Sequence, residues 1–352
     1  MIDGGDTLRR LVLNAVGYSG LAPLARPLVG GIGAILMLHR VTANLERPDG
    51  ANRHLNIAPA FLDALITDMK AGGTEFVTMD EALERVRRGG KGGQFATITA
   101  DDGYRDNLTE ALPVLERHGV PITIYIAPAL IDGTVDLWWE VIDDIVNARD
   151  MLFLNTAEGR VMIDCSSPAK RAEANARLQE YLTIDVREED QRTALHELSR
   201  SCGVDPAEPG RKTLMNWEEV RAAAAHPLVT IGAHTVHHYS LKRLNEETAR
   251  REIIDAGRIL ESELGEKPRH MAYPYGYPSA VGEREVALAK AAGYASAVTT
   301  RHGVLRADHA GHLHALPRIS INGRYQRVSY IRTMLSGITT PLANAGKMLV
   351  TV

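Results

Sequence analysis

Short apolar runs alternate along the chain with longer segments in which apolar residues recur at helical spacing. The runs are three to five residues long and are bounded by polar or glycine-containing stretches. This is the pattern expected of strands in a parallel sheet that is covered on both faces. The predicted strands are Ala34–Leu38, Phe95–Thr99, Ile122–Ile126, Leu228–Ile231, Met271–Tyr273 and Ser296–Thr299.

The longer segments between these runs have the spacing of amphipathic helices. One apolar stripe covers residues 61–69 and is followed by a Gly-Gly pair, which is a typical stop signal. A second stripe covers 245–265 and ends at Gly265, and a third covers 283–292 and ends at Gly293. Repeated alternation of strand and helix predicts an α/β fold with a parallel sheet. Six or seven such units favour a closed barrel.

Residues 138–215 interrupt this alternation. Two polar helical segments, 171–182 and 188–199, predict a helical insertion between two barrel strands rather than a second catalytic domain. Trp138 and Trp139 stand at its start, where they either anchor the insertion or stack against a sugar. The predicted organisation is an N-terminal helical extension over 1–32, a barrel over 33–335 that contains the insertion, and a C-terminal tail over 336–352.

Composition and charge limit the classes of protein to consider. A net charge of −4 gives no electrostatic case for a nucleic-acid partner. The chain has only two cysteines, and its N-terminus lacks the residue order of a secretory signal, so a cytoplasmic protein is expected. Residues 8–31 are mildly amphipathic, which predicts either a helix packed on the core or a peripheral contact with a membrane surface. The sequence leaves the oligomeric state open.

Two adjacent carboxylates follow the strand predicted at 95–99. Asp101 and Asp102 belong to the run Thr99-Ala-Asp-Asp-Gly103, and catalytic groups collect at strand ends in parallel α/β folds. Like charges this close oppose joint ionisation unless a cation compensates them. With a bound cation, one carboxylate can be a ligand while the other is a base. An ordinary Asp-Asp-Gly turn is the alternative for this run taken alone.

Two histidines follow the strand predicted at 228–231. His234 and His238 are four residues apart, which brings both imidazoles to one face of a turn. Thr235 occupies the position where HExxH metalloproteases carry Glu, so that class is excluded. With one carboxylate from the first run, the imidazoles form a facial set that leaves metal coordination positions open for water and substrate. In a chain with 13 histidines, surface or capping histidines are the alternative.

Three runs, taken in order, resemble the motifs of the polysaccharide deacetylase family, the carbohydrate esterases that include chitin, chitooligosaccharide and peptidoglycan deacetylases. The third run is Met271-Ala-Tyr-Pro-Tyr-Gly276. The family's first motif is Thr-Phe-Asp-Asp-Gly, so Ala100 replaces a phenylalanine here, whereas the second motif, His-Ser/Thr-x-x-His, is matched in full. The resemblance covers roughly residues 33–135 and 213–321. It implies a distorted (β/α)7 barrel, and the helical insertion over 138–215 is expected between two strands of that barrel.

The resemblance also implies an activity, which is hydrolysis of an N-acetyl group on an amino sugar of a glycan. Asp101 would be the catalytic base, and the backbone N–H of Tyr275 would stabilise the oxyanion. A divalent metal ion, expected to be zinc, would be held by Asp102, His234 and His238. A related amide hydrolase, such as a deformylase or an enzyme of a non-sugar amide, is an alternative. A barrel that binds glycan without turnover is another.

Two family features have no clean counterpart in this chain. The arginine that usually lies two residues before the proline of the third motif is replaced by Ala272, and Arg318 or Arg269 could take its place. The last family motif, Leu-x-His, supplies a catalytic acid. His314 lies in the corresponding region and is predicted as the acid. The alternatives for the acid are His39 and His302.

Overall fold

The structure is a computed structural model, which describes residues 13–14, 29–44, 47, 50–156 and 159–352. The predicted N-terminal helical extension, with its possible membrane contact, lies almost entirely outside these residues. Among the described helices, none combines the length and the apolar character needed to cross a membrane.

Seven parallel strands close into a barrel. In chain order, the strands of the described residues are β1 (Gly33–Leu38), β2 (Arg40–Val41), β3 (Asn56–Ile57), β4 (Glu75–Phe76), β5 (Phe95–Ala100), β6 (Ile122–Ile126), β7 (Met151–Thr156), β8 (Gly159–Asp164), β9 (Val229–Ala233), β10 (His270–Ala272), β11 (Ser296–His302) and β12 (Leu316–Ser320). The barrel follows the order β1, β12, β11, β10, β9, β6, β5, and β5 pairs back with β1. The predicted (β/α)7 barrel is therefore confirmed. β4 adds to the beginning of β5.

The barrel strands read as apolar runs because they are covered on both sides. Every residue of β1, β5 and β6 is buried, including the threonines of β5 and β6. The sequence pattern does not predict β12, because Pro317 and Arg318 interrupt its apolar residues. Both of these side chains are nevertheless buried in the barrel.

Helices surround the barrel and connect its strands. The helix predicted over 245–265 begins after Asn245, whose side chain accepts from the backbone N–H of Thr248, and ends at Gly265 with φ of 80°. The described helices are α1 (Pro59–Ala71), α2 (Met79–Arg87), α3 (Leu112–His118), α4 (Pro128–Ile131), α5 (Trp138–Ala148), α6 (Pro168–Glu180), α7 (Gln191–Cys202), α8 (Glu208–Thr213), α9 (Trp217–Ala224), α10 (Glu246–Leu264), α11 (Glu283–Ala291), α12 (Val328–Leu335) and α13 (Thr339–Ala343). Short 3₁₀ turns lie at Ala51–Leu55, Glu188–Asp190, Leu241–Arg243 and Ala307–Gly311, and wider π turns at Asn107–Ala111 and Tyr181–Asp185.

The insertion between β6 and β9 has a small core of its own. Helices α5 to α7 and the antiparallel hairpin of β7 and β8 pack around apolar side chains distinct from the main barrel core. The sequence pattern does not predict this hairpin, in which Leu152 and Leu154 are buried while Phe153 is exposed. Because the insertion leaves the barrel just after β6 ends, it stands beside the barrel mouth where the strands terminate.

The residues predicted as a C-terminal tail, 336–352, return to the barrel. They include α13, and Val350 near the end is buried. The carbonyl oxygen of Val350 accepts a hydrogen bond from His309 Nε2 at 3.0 Å. These contacts attach the end of the chain to the loop between β11 and β12.

Candidate active site

Both carboxylates and both histidines of the predicted site lie at one mouth of the barrel. Asp101 and Asp102 directly follow β5, and His234 directly follows β9. All four side chains are buried, with no more than 4% of any residue exposed. Asp102 Oδ1 is 3.4 Å from His234 Nε2 and 3.3 Å from His238 Nε2. The structure thus brings together the three residues that the sequence predicts as metal ligands.

Asp102, His234 and His238 fit a divalent cation. One ligand atom from each side chain lies within 4.8 Å of the other two. Asp102 Oδ1 is buried and has no hydrogen-bond partner among the described residues, although both imidazoles face it. His234 Nδ1 donates to the carbonyl of Ala272 at 2.8 Å, which leaves the lone pair of Nε2 directed toward Asp102. A cation between these three groups would satisfy the carboxylate oxygen that no donor reaches.

The backbone is strained at this mouth of the barrel. Asp102, Thr235, His238 and Tyr275 have φ values of 73°, 59°, 56° and 62°. They are four of the five non-glycine residues with positive φ in the described part of the chain. Such conformations cost about 1–3 kcal/mol each, and they cluster at functional sites. Their concentration here marks the same site that the sequence motifs predict.

Asp101 is held by an arginine rather than by the histidine cluster. Arg318 donates through both terminal nitrogens to the two Asp101 oxygens, each at 2.7 Å, and through Nε to the carbonyl of Thr299 at 2.8 Å. Burial alone raises the pKa of Asp101, but the charge and hydrogen bonds of Arg318 outweigh it, with smaller contributions from His234 and His39. The net effect is a pKa below the usual value, so Asp101 is ionised and can accept a proton.

Of the two arginines considered in place of the one missing at Ala272, Arg318 is the one that contacts Asp101. Ala272 lies at the end of β10, and its small side chain offers no donor to Asp101. The guanidinium of Arg318 on β12 donates to the Asp101 carboxylate instead. The other candidate, Arg269, precedes β10 and lies at the opposite barrel mouth, where it pairs with Asp80 at 3.0 Å. Arg318 lies within β12 and reaches Asp101, whereas Arg269 lies just before β10 and pairs with Asp80.

Aromatic side chains line one side of the cluster. The Tyr275 ring lies 5.0 Å from the His238 ring, and the Trp139 ring lies 5.3 Å from it, measured between centroids. Trp138 Nε1 donates to the Tyr275 hydroxyl at 2.8 Å. Tyr277, 6.0 Å from Tyr275 and 43% exposed, extends this aromatic surface toward solvent. The two tryptophans thus contact the site and also belong to the insertion.

His314 does not reach this site. It lies in the loop before β12, at the mouth where the strands begin, and its Nε2 donates to the carbonyl of Tyr294 at 2.7 Å. The prediction of His314 as the catalytic acid is therefore wrong. His302 lies beside α13, with Nε2 2.7 Å from Thr339 Oγ1.

His39 lies at the correct mouth of the barrel. It directly follows β1, whose last residue, Leu38, pairs with Ala100 of β5. The Leu38 carbonyl also accepts from the backbone N–H of Asp101 at 3.1 Å. Of the three histidines considered as the acid, His39 is the one that the structure places beside the two carboxylates.

A buried glutamate holds the turn of residues 234–238, hereafter the histidine turn. Glu252 of α10 accepts the backbone N–H groups of Val236 and His237 at 3.1 and 2.8 Å, and His237 Nδ1 at 2.6 Å. Arg192 of the insertion donates to the His237 carbonyl at 3.3 Å. The sequence does not predict that Glu252 is buried, because its position in the helical pattern over 245–265 falls among the polar residues expected on the solvent-exposed face.

Comparison with known proteins agrees with this site. Residues 207–297 match the family model for polysaccharide deacetylase, a range that includes the histidine turn and Tyr275 but neither Asp101 nor Asp102. Among curated protein sequences, none matches the chain significantly.

Several solved structures share the fold. The deacetylase PplD from Streptococcus pyogenes, in complex with acetate, is 17% identical with a TM-score of 0.56, over 86% of this chain and 97% of that one. IcaB from Ammonifex degensii is 18% identical with a TM-score of 0.52, over 87% and 97% of the two chains. A de-N-acetylase from Aggregatibacter actinomycetemcomitans is 16% identical with a TM-score of 0.53, over 86% and 99%. At these identities the likeness shows the fold alone.

Fold and site together define an α/β barrel with a buried group of three side chains that can hold a metal ion. The match over residues 207–297 agrees with the resemblance to the polysaccharide deacetylase family that the sequence motifs indicate. This family consists of carbohydrate esterases that act on the carbon–nitrogen bond of N-acetyl groups.

We expect Glu252 to set the metal affinity of the site. Replacing it (Glu252→Ala) removes three hydrogen bonds from the strained histidine turn, so Zn²⁺ should bind about 10–100-fold more weakly, as is typical when a partner that orients the ligands is lost. Isothermal titration calorimetry of the metal-stripped protein measures this. Glu247→Ala, at an exposed position of the same helix, is the control and should bind metal like the wild type. Equal Zn²⁺ affinities in the two variants would contradict the role of Glu252 in orienting the histidine turn.

Proposed function

We propose that this protein is a metal-dependent N-deacetylase that removes the acetyl group from an amino sugar of a glycan. One observation supports this most strongly. Asp102 faces His234 and His238, while its neighbour Asp101 is held separately by Arg318. The two adjacent carboxylates are thereby divided between a metal-binding role and a proton-accepting role, which is the division that hydrolysis of an unactivated amide requires.

Asp102, His234 and His238 are proposed to hold the metal ion. Their two nitrogens and one carboxylate oxygen are a donor set that zinc accepts, with coordination positions left for water and substrate. A divalent ion bound there supplies a Lewis acid for the acetyl carbonyl and lowers the pKa of a bound water. Zinc is proposed as the divalent metal from the chemistry of these donors.

The proton transfers are assigned to Asp101 and His39. Asp101 takes the proton of the attacking water as the water oxygen bonds to the carbonyl carbon. The backbone N–H of Tyr275, in a turn beside His238, is proposed to stabilise the developing oxyanion. The carbon–nitrogen bond then breaks as His39 donates a proton to the nitrogen. The products are acetate and the free amine.

The surroundings of the site support a sugar as the substrate. Tyr275 and Tyr277 present ring surface at the edge of the site, and sugar rings stack on such faces. The three fold neighbours named above are a deacetylase in complex with acetate, IcaB and a de-N-acetylase. A cytoplasmic location of the protein stays a prediction.

The main test compares Asp101→Asn with His234→Ala, using acetate release from acetylated oligosaccharides. Asp101→Asn should bind metal normally and lose activity by at least about 100-fold, because it removes the base but no ligand. His234→Ala should lose both metal binding and activity. A chelator should abolish wild-type activity, and added Zn²⁺ should restore it. A fully active Asp101→Asn enzyme would falsify the proposal, and glycan binding without acetate release would favour the non-catalytic barrel.

Arg318 is proposed to orient the base. In Arg318→Lys the charge is kept but the two parallel hydrogen bonds to Asp101 are lost, so kcat should fall about 100-fold while KM and metal affinity change little. Steady-state kinetics and calorimetry measure the three quantities, and circular dichroism checks the fold. Arg269→Lys, at the opposite barrel mouth, is the matched control and should keep wild-type kcat. A similar decrease in both variants would refute the specific role of Arg318.

The role of His39 is tested by changing the leaving group. An amine leaves only when it is protonated, whereas 4-nitrophenolate leaves without a proton. In His39→Gln, deacetylation of an amino sugar should decrease by about 100-fold or more, while hydrolysis of 4-nitrophenyl acetate should decrease far less. If both substrates lose activity equally, His39 is not the acid. His302→Gln is the control and should hydrolyse both substrates like the wild type.

A further inference from the structure

The loop that contains the proposed oxyanion donor is a tight turn centred on Tyr275. The backbone N–H of Gly276 donates to the carbonyl of Pro274 at 2.7 Å, and Tyr275 between them has φ of 62°. A hydrogen bond between residues two positions apart, around a positive φ, is the rarer and strained form of the γ-turn. Contacts from outside the turn must therefore hold it in this conformation.

This turn leaves the Tyr275 N–H available to a ligand. Within the described part of the chain, the N–H donates to no backbone carbonyl. Backbone N–H groups in a protein interior usually have a partner. The Tyr275 ring lies 5.0 Å from the His238 ring, so the turn lies beside the proposed metal ligands. An available N–H stabilises an oxyanion only when it is held at the correct place, because a hydrogen bond weakens steeply with distance and angle.

A tryptophan of the insertion holds the side chain of this turn. Trp138 is the first residue of α5 and is 5% exposed. Its Nε1 donates to the Tyr275 hydroxyl at 2.8 Å, and the two ring centroids are 6.4 Å apart. The Trp139 ring packs edge-on against Trp138 at 5.6 Å. Since so little of Trp138 is exposed, it offers a sugar little ring area, and its polar contact at the site is with Tyr275.

A bulge in β11 holds the backbone of the same turn. The pairing of β11 with β12 shifts register between Val298 and His302, and Thr300 lies in this irregular stretch. Thr300 Oγ1 donates to the Tyr275 carbonyl at 2.5 Å, and the Thr300 N–H donates to the Gly276 carbonyl at 3.3 Å. Bulges beside active sites redirect side chains in this way. The strand approaches so closely that a Cβ on Gly276 would lie 2.4 Å from the Thr300 nitrogen.

We propose that Trp138 and Thr300 are positioning residues, which hold the N–H of Tyr275 where the oxyanion forms. This inference rests on the proposed function, in which that N–H stabilises the oxyanion. Both side chains act through Tyr275 and not on the substrate. One fixes the ring of Tyr275 from the insertion, and the other fixes its carbonyl from the barrel. The insertion then contributes to the reaction through a single hydrogen bond.

The first test removes the indole donor and keeps an aromatic ring. In Trp138→Phe, kcat for acetate release should fall about tenfold or more, while KM and Zn²⁺ affinity should change less than about twofold. Hydrolysis of 4-nitrophenyl acetate should fall by the same factor because it also forms an oxyanion, whereas His39→Gln should spare this ester. Trp217→Phe is the matched control. It removes an indole N–H that donates to Asp132 at 2.6 Å, away from Tyr275, and should keep wild-type kcat.

A double-mutant cycle separates the hydrogen bond from the packing of the ring. If the hydrogen bond is responsible, Trp138→Phe should not lower kcat further in a Tyr275→Phe background. Additive losses would overturn the role of Trp138. Thr300→Val tests the turn from the barrel side, should Trp138→Phe fail to fold, and should lower kcat about tenfold. Thr300→Ser keeps the hydroxyl and should restore kcat, and equal values in the two Thr300 variants would contradict its role.

Methylphosphonate gives a readout without turnover, because it is a tetrahedral anion like the intermediate of hydrolysis. Calorimetry with Zn²⁺-loaded protein should show about tenfold weaker binding in Trp138→Phe and in Thr300→Val, and wild-type binding in Trp217→Phe. Lowered thermal stability with unchanged methylphosphonate affinity would mean that the two residues are merely structural. A wild-type protein that neither binds methylphosphonate nor hydrolyses the ester would also overturn the inference.

The same measurements distinguish this inference from the proposed function. Acetate release by the wild type, together with wild-type kcat and methylphosphonate affinity in Trp138→Phe and Thr300→Val, would refute the inference and keep the deacetylase. Parallel losses of ester hydrolysis and methylphosphonate affinity in these variants, without acetate release from any acetylated amino sugar by the wild type, would refute the deacetylase. Trp138 and Thr300 would then remain positioning residues of an oxyanion site.

Discussion

Two adjacent carboxylates are buried at one barrel mouth, and the arrangement around them compensates each charge by a different route. Arg318 forms two hydrogen bonds with Asp101, and the His234 and His238 imidazoles face Asp102. Burial alone raises the pKa of both acids, yet these partners hold both pKa values below the usual range, and that of Asp102 well below it. Since each acid has its own partners, the two can remain ionised side by side and take different roles.

The geometry around Asp102 depends on support from other parts of the chain. Left-handed backbone at Thr235 and His238 is unfavourable for side chains of this kind, so neighbouring contacts must hold it. Glu252 on α10 and Arg192 of the insertion hydrogen-bond to the histidine turn. The insertion therefore contributes to the shape of the site in addition to packing on its own small core.

Much of the fold and of the cluster could be predicted from the sequence because strand ends and motifs coincide. Runs such as 95–99 and 228–231 are rich in apolar residues and contain no charged residue, and the residues that follow them meet at one mouth. The prediction of His314 as the catalytic acid fails because Pro317 and Arg318 interrupt the apolar pattern of β12, so the sequence does not show that His314 precedes a strand. Residues before a parallel strand lie at the opposite mouth from those after it. For the same reason, the sequence does not predict that Arg318 lies on a barrel strand and points to Asp101.

Closure of the barrel and formation of the ion pair between Asp101 and Arg318 depend on the same strand, β12. Asp101 follows β5 and Arg318 lies on β12, and these strands flank β1 on its two sides. During synthesis the acidic groups emerge 217 positions before the guanidinium that compensates Asp101. Until β12 joins the barrel, Asp101 lacks the two hydrogen bonds from Arg318 that compensate its charge. A partially folded chain without β12 therefore has an Asp101 carboxylate that no guanidinium orients.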